Sequence, residues 1–398
     1  MKILVTTDAY PPGSGGSGES TAALARALAR RGHDVTVVVA RRGVTGETAR
    51  SDGGLRVFEI GLGSPPPGPG RTRNLEAPLT SFLIRQSERF DVAHAQHLLS
   101  ATPTVLAGER SGYPVVVTVR DYWPVCIWST RLTGSAVCPG CTTLRRVVCA
   151  GRRHPLYWGA APFSPFLIGR EIDRRQSALA RARAVVAVSR YVKDTLSFYP
   201  DVRVIPNLLE RGGTRRVALP AGLPEAFVLF VGKLEPNKAP DLVIPILKKS
   251  GLDLPLVVAG AGGLASAIQA AAREADIETH FCGWTPHDQT LALMGKAAAV
   301  VFPSRWPEPL SRVLLEGLGV GAVLVAQRAG GNEEIVVHGE SGLTGTSVDE
   351  MAGELARACS DEALAARLRE GARRRADARF SEDVVVAELE ALYAQVVA

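Results

Sequence analysis

Two glutamates with seven residues between them, Glu308 and Glu316, stand in the segment FPSRWPEPLSRVLLEGLGVGAVLVAQRAGGN, which runs from Phe302 to Asn332. Glu308 falls in a Trp-Pro-Glu-Pro loop after the apolar run AAAVVF, the pattern of a buried strand, and Glu316 falls two turns into the helix predicted next. The first amides of a helix have no partner within it and attract anions, so a phosphate would settle at this helix start. Glu316 would then reach hydroxyls from the following turn. A ligand carrying both phosphate and hydroxyls, such as a nucleotide sugar, fits two acids placed in this way.

A second set of residues could hold the phosphates. After the run FVLFVG come Lys233 and Lys238, five positions apart, in a loop that opens a helix. Lysines there can neutralise a diphosphate and stabilise it as a leaving group. Taken alone, the pair reads equally well as two surface lysines. Near the N-terminus, Gly13, Gly15, Gly16 and Gly18 match GxGxxG, and Arg41-Arg42 after the second strand would suit a 2′-phosphate. Yet the five residues Asp8 to Pro12 separate the strand from the first glycine, and no acid follows the second strand. A more open glycine loop that lets backbone approach a phosphate or sugar fits better than a dinucleotide turn. Gly330-Gly331-Asn332 supplies a further glycine turn.

These residues must be held by strands and helices that alternate along the whole chain, the signature of parallel sheets covered by helices. Strands are expected at ILVTT, VTVVV, LRVFEI, DVAH, PVVVTV, AVVAV and RVIP, then again at FVLFVG, LPLVVAG, ETHFCG, AAVVF and AVLVA. A helix is expected from Ser20 to Arg31, stopped by Gly32. The Pro/Gly-rich stretch GLGSPPPGPGRTR reads as a surface loop, and PNLLERGGTRRVALPAGLPEA reads as a linker. The expected domains are 1–206, with an insertion at about 120–170, and 207–380. Residues 381–398 form a helix that could pack on either. Two such sheets facing each other would turn their strand ends, and hence their ligand loops, toward a shared cleft.

At 398 residues the chain is too long for one ordinary core, and its 46% apolar and 22% charged residues are those of a globular protein. No apolar run approaches the roughly 20 residues of a spanning helix, and MKILVTT enters a strand directly, so the cytoplasm is the expected compartment. The net charge of +6 suits phosphate-bearing ligands, but it also describes an ordinary solvated exterior. No nucleic-acid partner is expected.

Four of six cysteines fall close together: Cys126, the Cys138-Pro-Gly-Cys141 pair, and Cys149. They read either as reduced, partly buried thiols or as a structural zinc centre. Around them RDYWPVCIW and HPLYWGAAPFSPFLIG add aromatics and prolines to an aromatic-poor chain. They suggest a wall for an acceptor, or peripheral contact with the inner face of a membrane. A helical insertion covering the sheet is the equal alternative.

Together these motifs resemble the nucleotide-sugar glycosyltransferases of family 4, a retaining family with the GT-B fold, an α/β architecture of two Rossmann-like domains across a cleft. The resemblance covers nearly the whole chain: the Gly15-Gly16 loop, DVAHAQH, PVVVTVRDYW, VAVS, VIPN, VGKLEPNK, the glutamate pair and GGNEE. It implies transfer of a sugar from a nucleoside diphosphate donor to an acceptor, with retention and without a required cofactor. It further implies that Lys233 and Lys238 hold the diphosphate, Glu316 the ribose hydroxyls, and Glu308 the transferred sugar. Gly15, Gly16, Gly283, Trp284, Pro309, Leu310 and Ser311 would complete the donor site, and His97 would face the reacting sugar. His94, Asp121, Tyr122 and Trp123 lie on the acceptor side. The chain departs from the pattern at Lys233, more usually arginine, at Ala239, usually glycine, and at Arg120, often histidine. Two other readings keep part of this scaffold: a nucleotide-sugar epimerase or NADP-dependent oxidoreductase, and a non-catalytic nucleotide-sugar-binding protein.

Overall fold

A computed structural model describes residues 1–12, 14–64, 73–86, 89–134, 136–153, 163–210 and 217–398. Gly13, residues 65–72 of the Pro/Gly-rich stretch, residues 154–162 of the aromatic segment and residues 211–216 of the expected linker lie outside them. The chain divides into two compact units. One comprises Met1–Thr133, Cys138–Leu208 and Glu382–Ala398, and the other comprises Gly134–Val137 and Leu209–Ser381.

The N-terminal unit is built on an eight-stranded sheet. Its strands are β1 (Lys2–Thr7), β2 (Asp34–Arg41), β3 (Thr45–Asp52), β4 (Leu55–Leu62), β5 (Val92–Ala95), β6 (Val115–Val119), β7 (Ala184–Ala187) and β8 (Val202–Val204). They lie in the order β8-β7-β6-β5-β1-β2-β4-β3. All neighbours are parallel except β3 and β4. The apolar runs of the sequence become the buried central strands, as a two-sided sheet demands. Strand β3 carries no signal in the sequence. Its residues, TGETARSD, are mostly exposed and carry no apolar alternation, so only pairing with β4 makes them a strand. The first two helices are α1 (Gly16–Arg30) and α2 (Arg73–Arg85); α1 starts four residues earlier than expected, directly from the glycine loop. Then come α3 (Leu98–Ser111), α4 (Thr143–Arg153), α5 (Ser164–Ala180) and the short α6 (Arg190–Asp194).

The second unit has a six-stranded parallel sheet: β9 (Val228–Val231), β10 (Leu256–Ala259), β11 (Thr279–Gly283), β12 (Ala299–Phe302), β13 (Leu324–Gln327) and β14 (Leu343–Gly345). The order is β11-β10-β9-β12-β13-β14. Its helices are α7 (Val243–Ser250), α8 (Ala265–Ala275), α9 (His287–Lys296), α10 (Arg312–Val320), α11 (Asn332–Ile335), α12 (Val348–Ser360) and α13 (Glu362–Arg375). Val228, Phe230, Val258, Val301 and Val325 from the strands meet Val243, Ile246, Ile268 and Leu355 from the helices in one core.

The last helix, α14 (Glu382–Val397), belongs to the N-terminal unit. Val385, Val386, Leu389, Leu392, Tyr393 and Val396 repeat at helical spacing, are buried, and join the core made by Ile3, Val5, Val37, Val92, Val116 and Leu28. Its polar edge is stitched to the end of α1: Arg30 donates to Glu382, and Arg31 and His33 bond Glu390.

Candidate functional site

In the second unit the β9–α7 and β12–α10 loops are tied to each other. Asn237 O accepts from Trp306 N at 3.0 Å, and Ser304 Oγ lies 3.1 Å from the same carbonyl oxygen. This seam brings Lys238 beside Glu308, with Nζ 2.5 Å from Oε1, and Ser304 Oγ donates to the same oxygen at 2.8 Å. Trp306 and Phe302 place ring faces 5.1 and 5.7 Å from the ammonium. Glu308 is 3% exposed, so its charge is held by partners rather than by water. Lys233 is different: it is mostly exposed, with Glu235 at 4.0 Å, and is free to reach a ligand. Ala239, which stands where the family usually has glycine, adopts left-handed backbone with φ 50°.

The Gly330-Gly331 turn clasps the Glu308 backbone. Gly331 N donates to Glu308 O at 2.6 Å, and a Cβ at Gly330 would lie 2.4 Å from that oxygen, so no larger residue fits. Ser311 caps α10 through Leu314 N, while Pro309 and Leu310 shape the approach to this helix start.

Glu316, one turn into α10, is buried. Its Oε1 accepts from Arg312 Nε at 2.6 Å and from His287 Nε2 at 3.0 Å. Burial pushes its pKa up most strongly, but the His287 hydrogen bond and the Arg312 charge together hold it below the ordinary carboxylate range. The same hydrogen bond raises His287. Among the described residues the other oxygen of Glu316, and that of Glu308, makes no hydrogen bond within the protein. Gly283 ends β11 in left-handed backbone, and Trp284 beside it is 78% exposed.

The His287–Glu316 pair gives a pH dependence of defined sign. A raised histidine contributes fully below its ordinary value of 6.5, and the contribution is lost as pH rises through the raised value. A lowered glutamate contributes above 4.5 and is lost on acidification. The charged pair is therefore complete between these values. In a double-mutant cycle of His287→Gln and Glu316→Gln read by urea unfolding, the coupling should be larger at mildly acidic than at clearly alkaline pH. Coupling that grows toward alkaline pH would refute the pair.

In the N-terminal unit the carboxyl ends of the adjacent strands β1, β5 and β6 gather Asp8, His97 and Asp121. Asp8 accepts from Leu99 N at 2.7 Å and Ser100 N at 2.8 Å at the start of α3, and burial pushes its pKa up to about 6 against those bonds. Asp121 accepts from Trp123 N and is also pushed up to about 6, by burial first and then by the charge of Asp8. Thr7 Oγ1 donates its one proton to Ala9 O, so it accepts from His97 Nδ1 at 2.9 Å. Nε2 of His97 consequently carries the lone pair. That atom is covered and has no partner, and burial lowers the ring pKa to about 3, which keeps the imidazole neutral.

His94 differs from His97. Both its nitrogens are used, with Tyr393 Oη at 2.6 Å and Thr118 Oγ1 at 2.6 Å, and it is fully buried. Arg120 reaches Gln96 and Asn207, tying the end of β6 to the segment after β8. The Gly15-Gly16 loop leads into α1, whose first turn closes on Gly15 O.

Two expectations need correction. Tyr122 and Trp123 do not form a wall: they are 0% and 1% exposed, because the turn after Asp121 folds them inward. Nor do Cys126, Cys138, Cys141 and Cys149 build a zinc centre. They all line one cavity of about 360 Å³, yet among the described residues no three His, Cys, Asp or Glu side chains are grouped to hold a metal. None of the four is in a disulfide and all are half-buried, and burial raises the thiol of Cys141, whose proton a metal would have to displace.

Sequence reasoning passed over His287, Arg312, Ser304 and Asp8. Arg312 stands four residues before Glu316, a helical pairing that spacing alone makes visible. The other three partnerships depend on loop paths that spacing does not encode.

Comparison with known proteins places these features in context. The family model described as Glycosyltransferase Family 4 matches residues 14–210, and the one described as Glycosyl transferases group 1 matches residues 214–375. The glycogen synthase of Mycobacterium tuberculosis (strain ATCC 25618 / H37Rv) is 27% identical, over 99% of this chain and 94% of its own. The D-inositol 3-phosphate glycosyltransferase of Xylanimonas cellulosilytica is 26% identical, over 99% and 96%. Among solved structures, Anabaena HepE in complex with UDP-glucose is similar with a TM-score of 0.69 at 17% identity, covering 99% of this chain and 100% of that one.

Proposed function

The chain is a glycosyltransferase of the GT-B fold, and on that premise we propose that it moves a sugar from a nucleoside diphosphate sugar to a hydroxyl acceptor with retention at the anomeric carbon. The observation that carries the reading is the state of the two glutamates. Each spends one carboxylate oxygen on fixed protein partners and keeps the other for a ligand. Glu316 grips the ribose hydroxyls, held by Arg312 and His287 so that little order is lost on binding. Glu308 grips the transferred sugar. Lys233 and Lys238 supply positive charge to the diphosphate, and the first amides of α10, with Pro309, Leu310 and Ser311, accommodate phosphate and sugar oxygens. Gly283 and Trp284 take the base, largely through backbone.

In the reaction the bond from the anomeric carbon to the diphosphate oxygen breaks, and the acceptor oxygen bonds to that carbon on the same face. The acceptor proton passes to the departing diphosphate. Charge builds on the leaving group, where the lysines lower its energy more in the transition state than in the ground state. The two glutamates are not a hydrolase-type acid/base pair: Glu308 is locked to an ammonium and Glu316 to a guanidinium. On the N-terminal unit, the neutral His97, oriented by Thr7, is the residue assigned to face the reacting sugar.

Removal of the ribose grip tests the donor assignment. Glu316→Ala should weaken binding of the cognate nucleoside diphosphate in calorimetry by roughly tenfold to a hundredfold, the weight of hydrogen bonds to a charged group. Unchanged affinity would remove Glu316 from the site. HepE was solved with UDP and with UDP-glucose, which makes the uridine series the first to try.

A further inference from the structure

Between Asp121 and Glu171 the sequence contains six arginines and not one aspartate or glutamate. In a chain with 46 basic and 40 acidic residues, so long an acid-free stretch is a local charge asymmetry. Part of this stretch forms α4 and the first turns of α5. The two helices meet through a small cluster of their own, Ala150 with Ile168 and Ile172, apart from the main core of the unit. Arg146 Nη1 donates to Pro165 O at 3.3 Å, and a Cβ on Gly169 would lie 2.4 Å from the same nitrogen. The first turn of α4 is thereby fastened beside the first turns of α5.

That fastening gathers apolar side chains at one end of the pair. Leu144 is 75% exposed, Phe163 70%, Phe166 62% and Leu167 40%. Single exposed apolar residues need no explanation, but four large ones on neighbouring helix starts do. Arg145, next to Leu144, and Arg170, one turn after Phe166, are exposed beside them, and Arg170 lies over the Phe166 ring at 5.4 Å, so that cation and ring are presented together.

We propose that this end of the α4/α5 pair docks on an anionic lipid bilayer, with Leu144, Phe163, Phe166 and Leu167 entering the headgroup and acyl boundary and the arginines engaging lipid phosphates. A dissolved polyanion would satisfy the arginines but offers no apolar phase to four Leu and Phe side chains. A bilayer surface offers both within one layer. Among the described residues no helix is long and apolar enough to cross a membrane, so the contact lies along the surface. The inference does not depend on the donor chemistry, since its residues are separate from those assigned to the nucleotide sugar.

Flotation of the whole protein with vesicles tests it. The protein should float with vesicles of phosphatidylcholine mixed with phosphatidylglycerol, release as salt rises, and stay behind with phosphatidylcholine alone. Arg145→Glu with Arg170→Glu should lower the apparent affinity by at least about tenfold, since each lipid-facing arginine is worth roughly fivefold. Leu144→Asp with Phe166→Asp should abolish flotation, while thermal melting stays as in the parent because these side chains are exposed. The proposal is overturned if the parent protein fails to float with the anionic vesicles, if it floats equally with the neutral ones, or if the variants float as it does. Capture by RNA or polyphosphate with no flotation would also overturn it.

Discussion

Replacing Lys238 with alanine is expected to lower turnover by about 10²–10³-fold, the usual loss when one charge-stabilising donor is removed from a transition state. The donor's KM should change far less, because Glu316 and the helix start still hold the nucleotide. The single variant carries a second cost. It leaves the 3%-exposed Glu308 with Ser304 as its remaining bonded partner, and an unpaired buried carboxylate destabilises by roughly 3–5 kcal/mol. Lys238→Met combined with Glu308→Gln removes both charges and should fold close to the parent while remaining inactive. Steady-state release of nucleoside diphosphate, alongside urea unfolding, separates the two effects. A double variant that is stable and fully active would show that the pair is structural only.

Ending the chain at Ser381 is the second large perturbation, and it acts far along the sequence from the residues it disturbs. The lost helix α14 buries six apolar or aromatic side chains in the N-terminal core. At about 1.5–3 kcal/mol for each buried side chain, the loss is on the order of 10 kcal/mol, comparable to the whole stability of a typical domain. Tyr393 also supplies the partner of His94 Nδ1, so that a buried polar atom is orphaned as well. The truncated chain should lose the cooperative unfolding of the N-terminal unit in calorimetry while the β9–β14 unit still melts. Tyr393→Phe, which keeps the ring, should cost only about 1–3 kcal/mol. Equal melting of truncated and intact chains would contradict the packing of α14.

What the sequence disclosed followed from what carries a periodic signal. Short Val-rich runs bounded by turn residues and alternating with helical patterns fit the central strands of covered parallel sheets, so β1, β2, β6 and β9 were legible. Strand β3 was not, because TGETARSD becomes a strand only through its neighbour. The last helix could be read as amphipathic, but an apolar stripe does not state which core it fills. The site divided in the same way. The glutamates and lysines stood out by type and spacing, yet the Lys238–Glu308 contact joins residues 70 apart and arises from the seam between two loops. His287 lacked any motif of its own, and Tyr122 and Trp123 looked like a surface because aromatic residues do not announce the direction they face.

Proton NMR of the anomeric signal during turnover of UDP-glucose, and then of GDP- and ADP-sugars, tests the central claim most directly. With one of these donors, nucleoside diphosphate should be released and the new anomeric signal should appear first in the donor's own α configuration, with both lost in the Lys238→Met, Glu308→Gln variant. A β anomer appearing first, or tight binding of the donors with no release of diphosphate from any of them, would contradict it.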